Sequence, residues 1–248
     1  MSDRLLGGDR VPGLRAVHEL LSAQRRKVRS VLVARTRDGD RERDAIVALA
    51  QQAGVRVEVV GAERVAEESR LDAAQGIVAL ADPVQPVALD ALLATPNCFL
   101  VVLDGVTDPR NLGAVMRTAE AAGATGIVVP RHRAALLTPA AVKAAAGAIE
   151  HLAIALVPGI PNALEQCRRA QVWTVGVDMA GTTSIFELTV ADAALALVFG
   201  SEGRGLARLT RDRCDVLASI PMGGTLESLN VSAAAAVACF EVVRRRGR

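Results

Sequence analysis

Three segments of the sequence place polar side chains and glycines directly after an apolar run. In the first, Asn111, Arg117 and Thr118 interrupt an otherwise apolar helix that follows the run 98–104. Gly113 lies one helical turn before Arg117 and would leave space beside its guanidinium. Taken alone, Asn111 could equally be a helix N-cap and Arg117 a solvated charge.

The second segment is the glycine-rich run ALALVFGSEGRGL, residues 194–206. Gly200, Gly203 and Gly205 permit positive φ angles and a close approach of backbone amides to a ligand, and Glu202 lies among them. The run is neither a dinucleotide-binding GxGxxG nor a P-loop, because no Lys-Ser/Thr pair follows. A tight turn without a ligand is the alternative.

The third segment, residues 218–236, contains Ser228 and Asn230 near the start of the last predicted helix. Ser228 could cap that helix or act as a nucleophile, but none of the three histidines lies in these loops, so a Ser/His triad has little support. Glu202 and Glu227 could pair as the two carboxylates of glycoside hydrolysis, although nothing in the sequence fixes their separation.

Strands and helices alternate along the chain, which predicts an α/β fold with a mostly parallel sheet covered by helices. Ligands bind at the carboxyl ends of such strands, where the three segments begin. A proline-marked stretch, residues 83–97, predicts a linker between a domain of residues 1–82 and one of residues 98–248. The predicted strands are 30–34, 55–60, 76–81, 98–105, 126–130, 172–177, 194–200 and 216–221, and the predicted helices are 13–24, 43–54, 111–123, 138–152, 163–170 and 229–246.

The composition excludes several classes of protein. Of the 248 residues, 51% are hydrophobic and 23% are charged, so the chain is not disordered. It has no apolar run of about 18 residues that would span a membrane. Because the N-terminus also lacks the apolar core of a signal peptide, we expect a cytoplasmic protein with no membrane partner. The four scattered cysteines have no zinc-site spacing, so no metal is expected.

The charge distribution favours an anionic partner. Residues 10–37 carry eight cations and one anion, a local charge of +7, although a solvated helix face is the alternative. With four Phe, one Trp and no Tyr, the chain has few aromatic platforms for stacking bases. RNA binding would therefore depend on arginine, backbone groups and shape, while the arginine excess could equally reflect genomic base composition.

Together, the three segments resemble the motifs of the SpoU (TrmH-type) branch of the SPOUT RNA methyltransferases. The pattern N-x-G-x-x-x-R-T-A is Asn111–Ala119, F-G-S-E-G-x-G-L is Phe199–Leu206, and I-P-M-x-G-x-x-x-S-L-N-V-S is Ile220–Ser232. The segments LDGVTDPRNLGA and IVVPRHRAALLTPAAVKAAAGAIEHL resemble the RlmB-type subgroup, which methylates a guanosine 2′-oxygen in 23S rRNA.

This resemblance implies a C-terminal SPOUT domain with a parallel sheet and a deep trefoil knot. The segments GLRAVHELL and AAQGIVAL resemble the family's small N-terminal α/β domain, which is similar to a ribosomal-protein (L30e-like) fold and binds the RNA substrate. The family is dimeric, so the resemblance also implies a homodimer whose active site draws on both subunits. Residues 15–18, RAVH, are more basic than the corresponding segment of many relatives.

The resemblance further implies methyl transfer from S-adenosylmethionine to a ribose 2′-hydroxyl of RNA, without a metal. Backbone groups of Gly200, Ile220 and Leu229 would hold the cofactor. A guanidinium stays protonated in proteins, so Arg117 is better suited to stabilising the alkoxide than to acting as a base, and an RNA phosphate or Glu202 would take the proton. The implied catalytic residues are Asn111, Arg117, Glu202, Ser228 and Asn230.

Two alternative functions stay open at this point. One is methylation of tRNA or of another rRNA position, including a position whose modification confers antibiotic resistance. The other is a non-catalytic RNA-binding assembly factor with the same fold. A nucleotide-dependent oxidoreductase is disfavoured because its glycine fingerprint is missing.

Overall fold

A computed structural model describes residues 6–35, 40–71, 75–132, 134–201, 203–225 and 228–247. No helix in these ranges is both long and apolar enough to cross a membrane. In chain order the elements are β1 (Arg10–Pro12), α1 (Leu14–Ala23), β2 (Val28–Ala34), α2 (Arg41–Gln52), β3 (Arg56–Val60), α3 (Ala62–Ser69), β4 (Ile77–Ala81), α4 (Leu89–Leu93), β5 (Phe99–Leu103), α5 (Pro109–Ala121), β6 (Gly126–Pro130), α6 (Pro139–Ala145), β7 (Ala153–Val157), α7 (Ile160–Arg169), β8 (Trp173–Val177), β9 (Thr183–Ser184), β10 (Leu195–Phe199), α8 (Arg208–Arg211), β11 (Val216–Ser219) and α9 (Val231–Arg245).

The chain divides into two compact units, Met1–Gln85 with Leu136–His151, and Pro86–Ala135 with Leu152–Arg248. We call them unit 1 and unit 2. Unit 1 contains a four-stranded mixed sheet in the order β1-β4-β2-β3, in which β2 and β3 are parallel and β4 runs antiparallel to both of its neighbours. Apolar side chains of β2, α3 and β4 form a buried cluster in this unit.

Unit 2 contains a seven-stranded sheet in the order β7-β6-β5-β10-β8-β11-β9, and every pairing in it is parallel. This confirms the mostly parallel sheet predicted from the strand–helix alternation. Every residue of β5 and of β10 is buried, as expected of central strands covered on both faces. The side chains of Phe99 and Phe199 are fully buried there, and each such side chain contributes about 1.5–3 kcal/mol.

One difference from the predicted domain ranges is that residues 136–151 belong to unit 1. The backbone explains part of this, because Leu137 donates to the carbonyl of Leu6 and accepts from the amide of Gly8. Side chains explain the rest. His151 Nε2 lies 3.0 Å from Glu19 Oε2, and this contact holds the pKa of Glu19 below its usual range.

The alanine-rich segment 138–152 was predicted as one helix, and that prediction is wrong. Helix α6 ends at Ala145, because Ala146 and Gly147 have φ angles of 49° and 95°, outside the helical region. A Cβ atom on Gly147 would lie 2.4 Å from Cγ of Glu19, so only glycine fits at this turn. Strand β7 follows, and like α3 it was absent from the predicted elements.

Candidate functional site

Four strand-end loops of unit 2 lie at one edge of its sheet. Parallel pairing places the carboxyl ends of β5, β10, β8 and β11 side by side. Contacts between the loops tie them together. The amide of Asp104 donates to the carbonyl of Phe199 at 2.7 Å, and the amide of Asp178 donates to the carbonyl of Ala218 at 2.9 Å. The three segments singled out in the sequence therefore begin at the same edge.

In the loop after β10, the described residues 200–201 and 203–206 form a narrow turn that depends on glycine; we call these residues the glycine loop. Ser201 and Gly205 exchange two backbone hydrogen bonds of 3.0 Å, which fold the loop back on itself. A Cβ atom on Gly200 would lie 2.0 Å from the carbonyl carbon of Gly205, closer than any side chain allows. Gly203 and Gly205 have φ angles of 75° and 63°, which favour glycine.

Beside the glycine loop lies a cavity of about 180 Å³. Gly200, Ile220 and Leu229, the three predicted cofactor-binding residues, all line it, and so does Ser228. The full lining consists of Val177, Asp178, Met179, Phe199, Gly200, Ser201, Gly203, Arg204, Gly205, Arg211, Ile220, Met222, Ser228, Leu229, Val231 and Ala234.

Two of the predicted catalytic residues meet where α5 packs against α9. Asn111 is buried on α5, and its Oδ1 accepts a 3.2 Å hydrogen bond from Nδ2 of Asn230. Asn230, rather than Ser228, is the N-cap of α9, with its Oδ1 accepting from the amide of Ser232 at 2.9 Å. Helix α5 likewise begins earlier than predicted, with Asp108 as its N-cap, so capping does not account for Asn111.

Arg117 lies apart from this pair. It is exposed on α5 and makes no hydrogen bond or ion pair with the described residues. Arg117 comes six positions after Asn111, and at about 100° per residue this places the two roughly 120° apart around the helix. A side chain so placed is available to a group arriving from outside unit 2. Glu202, the fifth predicted catalytic residue, lies outside the described residues.

Three charged cavity residues were missed in the sequence: Asp178, Arg204 and Arg211. Asp178 directly follows β8, so its place at a strand end was the available signal. Its Oδ2 accepts from the amide of Leu206 at 3.1 Å and from Nη2 of Arg211 at 3.2 Å. The side chain of Asp178 is buried, with a relative exposure of 5%.

The cysteines take no part in this chemistry. Burial raises the pKa of Cys167 and of Cys239 to about 12, so both thiols stay protonated at neutral pH. Within the described ranges, no group of three or more His, Cys, Asp or Glu side chains could hold a metal ion.

The basic segment 10–37 is partly neutralised within unit 1. Four of its arginines meet carboxylates: Arg10 with Asp9, Arg15 with Glu19, Arg26 with Glu150, and Arg29 with Asp82. Arg37 lies outside the described residues. The exposed cations Arg25, Lys27 and Arg35 have no carboxylate partner in the part of the chain that the structure describes.

Two family models match the chain in succession. Residues 10–87 match the family described as RNA 2′-O ribose methyltransferase substrate binding, and residues 98–240 match the SpoU rRNA Methylase family. The chain belongs to the SpoU methylase family. The second match contains all eight predicted site residues, and the first contains the whole basic segment.

Full-length relatives agree with this assignment. The chain is 39% identical over 239 residues to the 23S rRNA (guanosine-2′-O-)-methyltransferase RlmB of Yersinia pestis, covering 95% of this chain and 96% of that protein. It is 36% identical over 245 residues to the RlmB of Photobacterium profundum, covering 97% and 99% of the two chains.

Solved structures share the architecture. The SpoU methyltransferase AviRb from Streptomyces viridochromogenes, in complex with the cofactor AdoMet, is 26% identical with a TM-score of 0.80, covering 96% of this chain and 90% of that one. An AdoMet-bound rRNA methyltransferase from Sinorhizobium meliloti is 25% identical with a TM-score of 0.77, covering 95% and 87%. These likenesses confirm the predicted α/β SPOUT fold.

Proposed function

We propose that this chain transfers a methyl group from S-adenosylmethionine to the 2′-hydroxyl of a guanosine in 23S rRNA. The observation that carries the proposal is the cavity at the strand ends, which brings Gly200, Ile220 and Leu229 together beside the glycine loop. Family membership and the activity named for the RlmB relatives give the reaction and the RNA.

The cavity fits S-adenosylmethionine by its chemistry. Ile220, Leu229 and Val231 offer an apolar wall suited to a purine ring. Backbone at Gly200 can approach a ligand closely because no side chain intervenes. When bound, S-adenosylmethionine supplies a methyl group on a positively charged sulfur.

Arg117 acts on the RNA side of the reaction in this proposal. The ribose 2′-hydroxyl gains negative charge as its proton leaves, and a guanidinium beside it stabilises that charge. Because the guanidinium keeps its own protons, the acceptor of the hydroxyl proton is Glu202 or an RNA phosphate. The Asn111–Asn230 hydrogen bond fixes the start of α9, which keeps Ser228 at the cavity wall.

The N-terminal unit would bind the RNA substrate through its exposed cations. Arg25 and Lys27 lie in the turn between α1 and β2, and Arg35 directly follows β2. Because RNA phosphates attract cations that lack a carboxylate partner, these three side chains are the candidates for phosphate contacts. The match of residues 10–87 to a substrate-binding family supports this division of labour.

We also propose that the protein is a cytoplasmic homodimer with a trefoil knot in unit 2, as the family resemblance implies. Two exposed aromatic side chains support a self-association surface, Phe186 at 45% and Phe240 at 48% exposure. They lie on neighbouring elements, since Arg245 of α9 donates to the carbonyl of Phe186. The exposed Arg117 is consistent with a site completed by a second subunit.

Replacing Arg117 with alanine tests the catalytic assignment. We expect the rate of 2′-O-methylation of 23S rRNA to fall by at least 100-fold, an order-of-magnitude estimate for the loss of one charge-stabilising group. The affinity for S-adenosylmethionine, measured by calorimetry, should stay within twofold. The control is Arg169→Ala, an exposed arginine at the end of α7, where the chain enters the opposite, amino edge of the sheet.

The outcomes separate the alternatives. Normal methylation by the Arg117→Ala variant would contradict the role of Arg117. Absence of S-adenosylmethionine binding by the unmodified protein would favour a non-catalytic assembly factor. Mapping 2′-O-methyl groups in cells with and without the protein then identifies the RNA, and a lost methyl group in tRNA instead of 23S rRNA would overturn the substrate assignment.

A further inference from the structure

Asp178 is the buried acidic side chain at the cavity, and three segments of unit 2 meet at its carboxylate. Oδ1 accepts from the amide of Ala180 at 3.0 Å, within its own loop. Oδ2 accepts from the amide of Leu206, at the end of the glycine loop, and from Nη2 of Arg211 on α8. One carboxylate therefore joins the end of β8, the glycine loop and α8.

The glycine loop is shaped to allow this contact. A Cβ atom on Gly205 would lie 2.8 Å from Oδ2 of Asp178, so the carboxylate approaches the loop backbone only because residue 205 is glycine. Arg211 also donates to the carbonyl of Leu206 at 3.5 Å, which holds the same end of the loop from the other side. Asp178 and Arg211 thus fix both backbone polar groups of Leu206.

We propose that Asp178, assisted by Arg211, is a positioning residue that holds the glycine loop in the conformation that binds S-adenosylmethionine. This inference rests on the proposed function and extends it to residues outside the three motifs. The buried amide of Leu206 needs an acceptor, and a carboxylate is a stronger acceptor than a neutral amide. When the carboxylate is removed, the loop leaves its binding conformation and the cofactor must reorder it.

Asp215, which directly precedes β11, is a matched control because it binds the amino end of β8, whereas Asp178 follows the carboxyl end of that strand. Asp215 accepts hydrogen bonds from the amide and the hydroxyl of Thr174, at 2.9 and 2.6 Å, near the amino end of β8. It does not line the cavity. Asp178→Asn and Asp215→Asn therefore make the same chemical change at two comparable backbone contacts, one at the cofactor cavity and one away from it.

The experiment measures S-adenosylmethionine binding by calorimetry and steady-state methylation of 23S rRNA. For Asp178→Asn we expect Kd to rise at least tenfold, about 1.4 kcal/mol, and KM for S-adenosylmethionine to rise by more than kcat falls. For Asp215→Asn we expect a lower melting temperature but a Kd within twofold of the unmodified protein. Arg211→Met should weaken binding at least threefold, since one of the two contacts to the loop is lost.

Two results would overturn the proposal. The first is a folded Asp178→Asn variant that binds S-adenosylmethionine within twofold of the unmodified protein. The second is an equal loss of affinity in Asp215→Asn, because the effect would then be general destabilisation. If Asp178→Asn does not fold, Arg211→Met decides, and unchanged affinity overturns the proposal. Failure of the unmodified protein to bind or methylate would instead refute the proposed function.

Discussion

Replacing Arg26 with methionine should reduce the stability of the protein without reducing the RNA affinity of the folded molecules. The Arg26 guanidinium meets Glu150 through two hydrogen bonds, Nε to Oε2 at 3.0 Å and Nη2 to Oε1 at 2.6 Å. Nη1 donates to the backbone carbonyls of Gly8 and Asp82, both at 2.6 Å. The side chains of Arg26 and Glu150 are 9% and 2% exposed, so water cannot replace these partners.

The magnitude follows from what the substitution leaves behind. Removing one partner of a buried ion pair costs about 3–5 kcal/mol, because the remaining charge stays buried and uncompensated. The carbonyls of Gly8 and Asp82 also lose a charged donor, which places the expected loss in the upper part of that range. A loss of about 4–5 kcal/mol, at roughly 2–4 °C per kcal/mol for a chain of 248 residues, predicts that the melting temperature falls by roughly 8–20 °C.

The assay is thermal and urea unfolding followed by circular dichroism, with RNA binding measured at a temperature where the variant is folded. The matched control is Lys27→Met, the next residue along the chain, which is exposed and has no carboxylate partner among the described residues. A surface change of this kind alters stability by about 0.5 kcal/mol or less. Lys27→Met should therefore weaken RNA binding and leave the melting temperature almost unchanged.

A double variant distinguishes the ion pair from general damage to the core. Glu150→Leu combined with Arg26→Met removes both charges, so the stability loss should be smaller than the sum of the two single losses. An Arg26→Met variant that melted within 2 °C of the unmodified protein would contradict a stabilising role for the buried ion pair. A folded Arg26→Met variant that lost more RNA affinity than Lys27→Met would contradict the purely structural role of Arg26.

Two further predictions concern unit 2. Gly200→Ala should weaken S-adenosylmethionine binding more than tenfold in calorimetry, since its methyl group would lie 2.0 Å from the carbonyl carbon of Gly205; unchanged binding would contradict the loop geometry. Hydrogen bonds from Arg244 and Arg245 lower the pKa of Glu241 to about 2, so their stabilising effect is complete above the usual value of 4.5 and is lost as pH falls through about 2. Between pH 7 and pH 5, Glu241→Gln should lower the free energy of unfolding, measured in urea, by about 1–2 kcal/mol; this value is reduced because Arg244 is exposed. At pH 3.5 the difference between variant and unmodified protein should be smaller. A difference that stays constant with pH would refute the lowered pKa of Glu241.

The parallel sheet of unit 2 could be predicted because its strands are short apolar runs separated by helices. Strand β5, for example, is a continuous apolar run that ends at a loop containing Asp104 and Gly105. The end of α6 could not be predicted in the same way. Alanine favours helix throughout 138–152, and the turn at Gly147 depends on its contact with Glu19, which is remote in the sequence.

In the candidate site, too, the residues of the motif loops could be predicted from the sequence, whereas Asp178 could not. The residues that line the cavity in the motif loops, such as Gly200 and Ser228, follow apolar strands and carry glycine or polar neighbours, so their sequence context marks them. Asp178 also follows a strand, but the next two residues are Met179 and Ala180 rather than glycine or a polar residue. Its partners Leu206 and Arg211 lie 28 and 33 residues further along the chain. Such contacts depend on strand order, in which β10 lies next to β8, and strand order is not a local property.

Burial, rather than the number of cations, decides how much of the basic segment can reach RNA. Within their ion pairs with Glu19 and Asp82, the side chains of Arg15 and Arg29 are 72% and 63% exposed, and ion pairs of exposed cations contribute about 0–1 kcal/mol. A phosphate can therefore displace those carboxylates at little cost, whereas Arg26 cannot leave Glu150 without exposing a buried charge. If Lys27 contacts one phosphate, Lys27→Met should lower the slope of log Kd against log salt by about 0.7–0.9, and Arg26→Met should leave that slope unchanged.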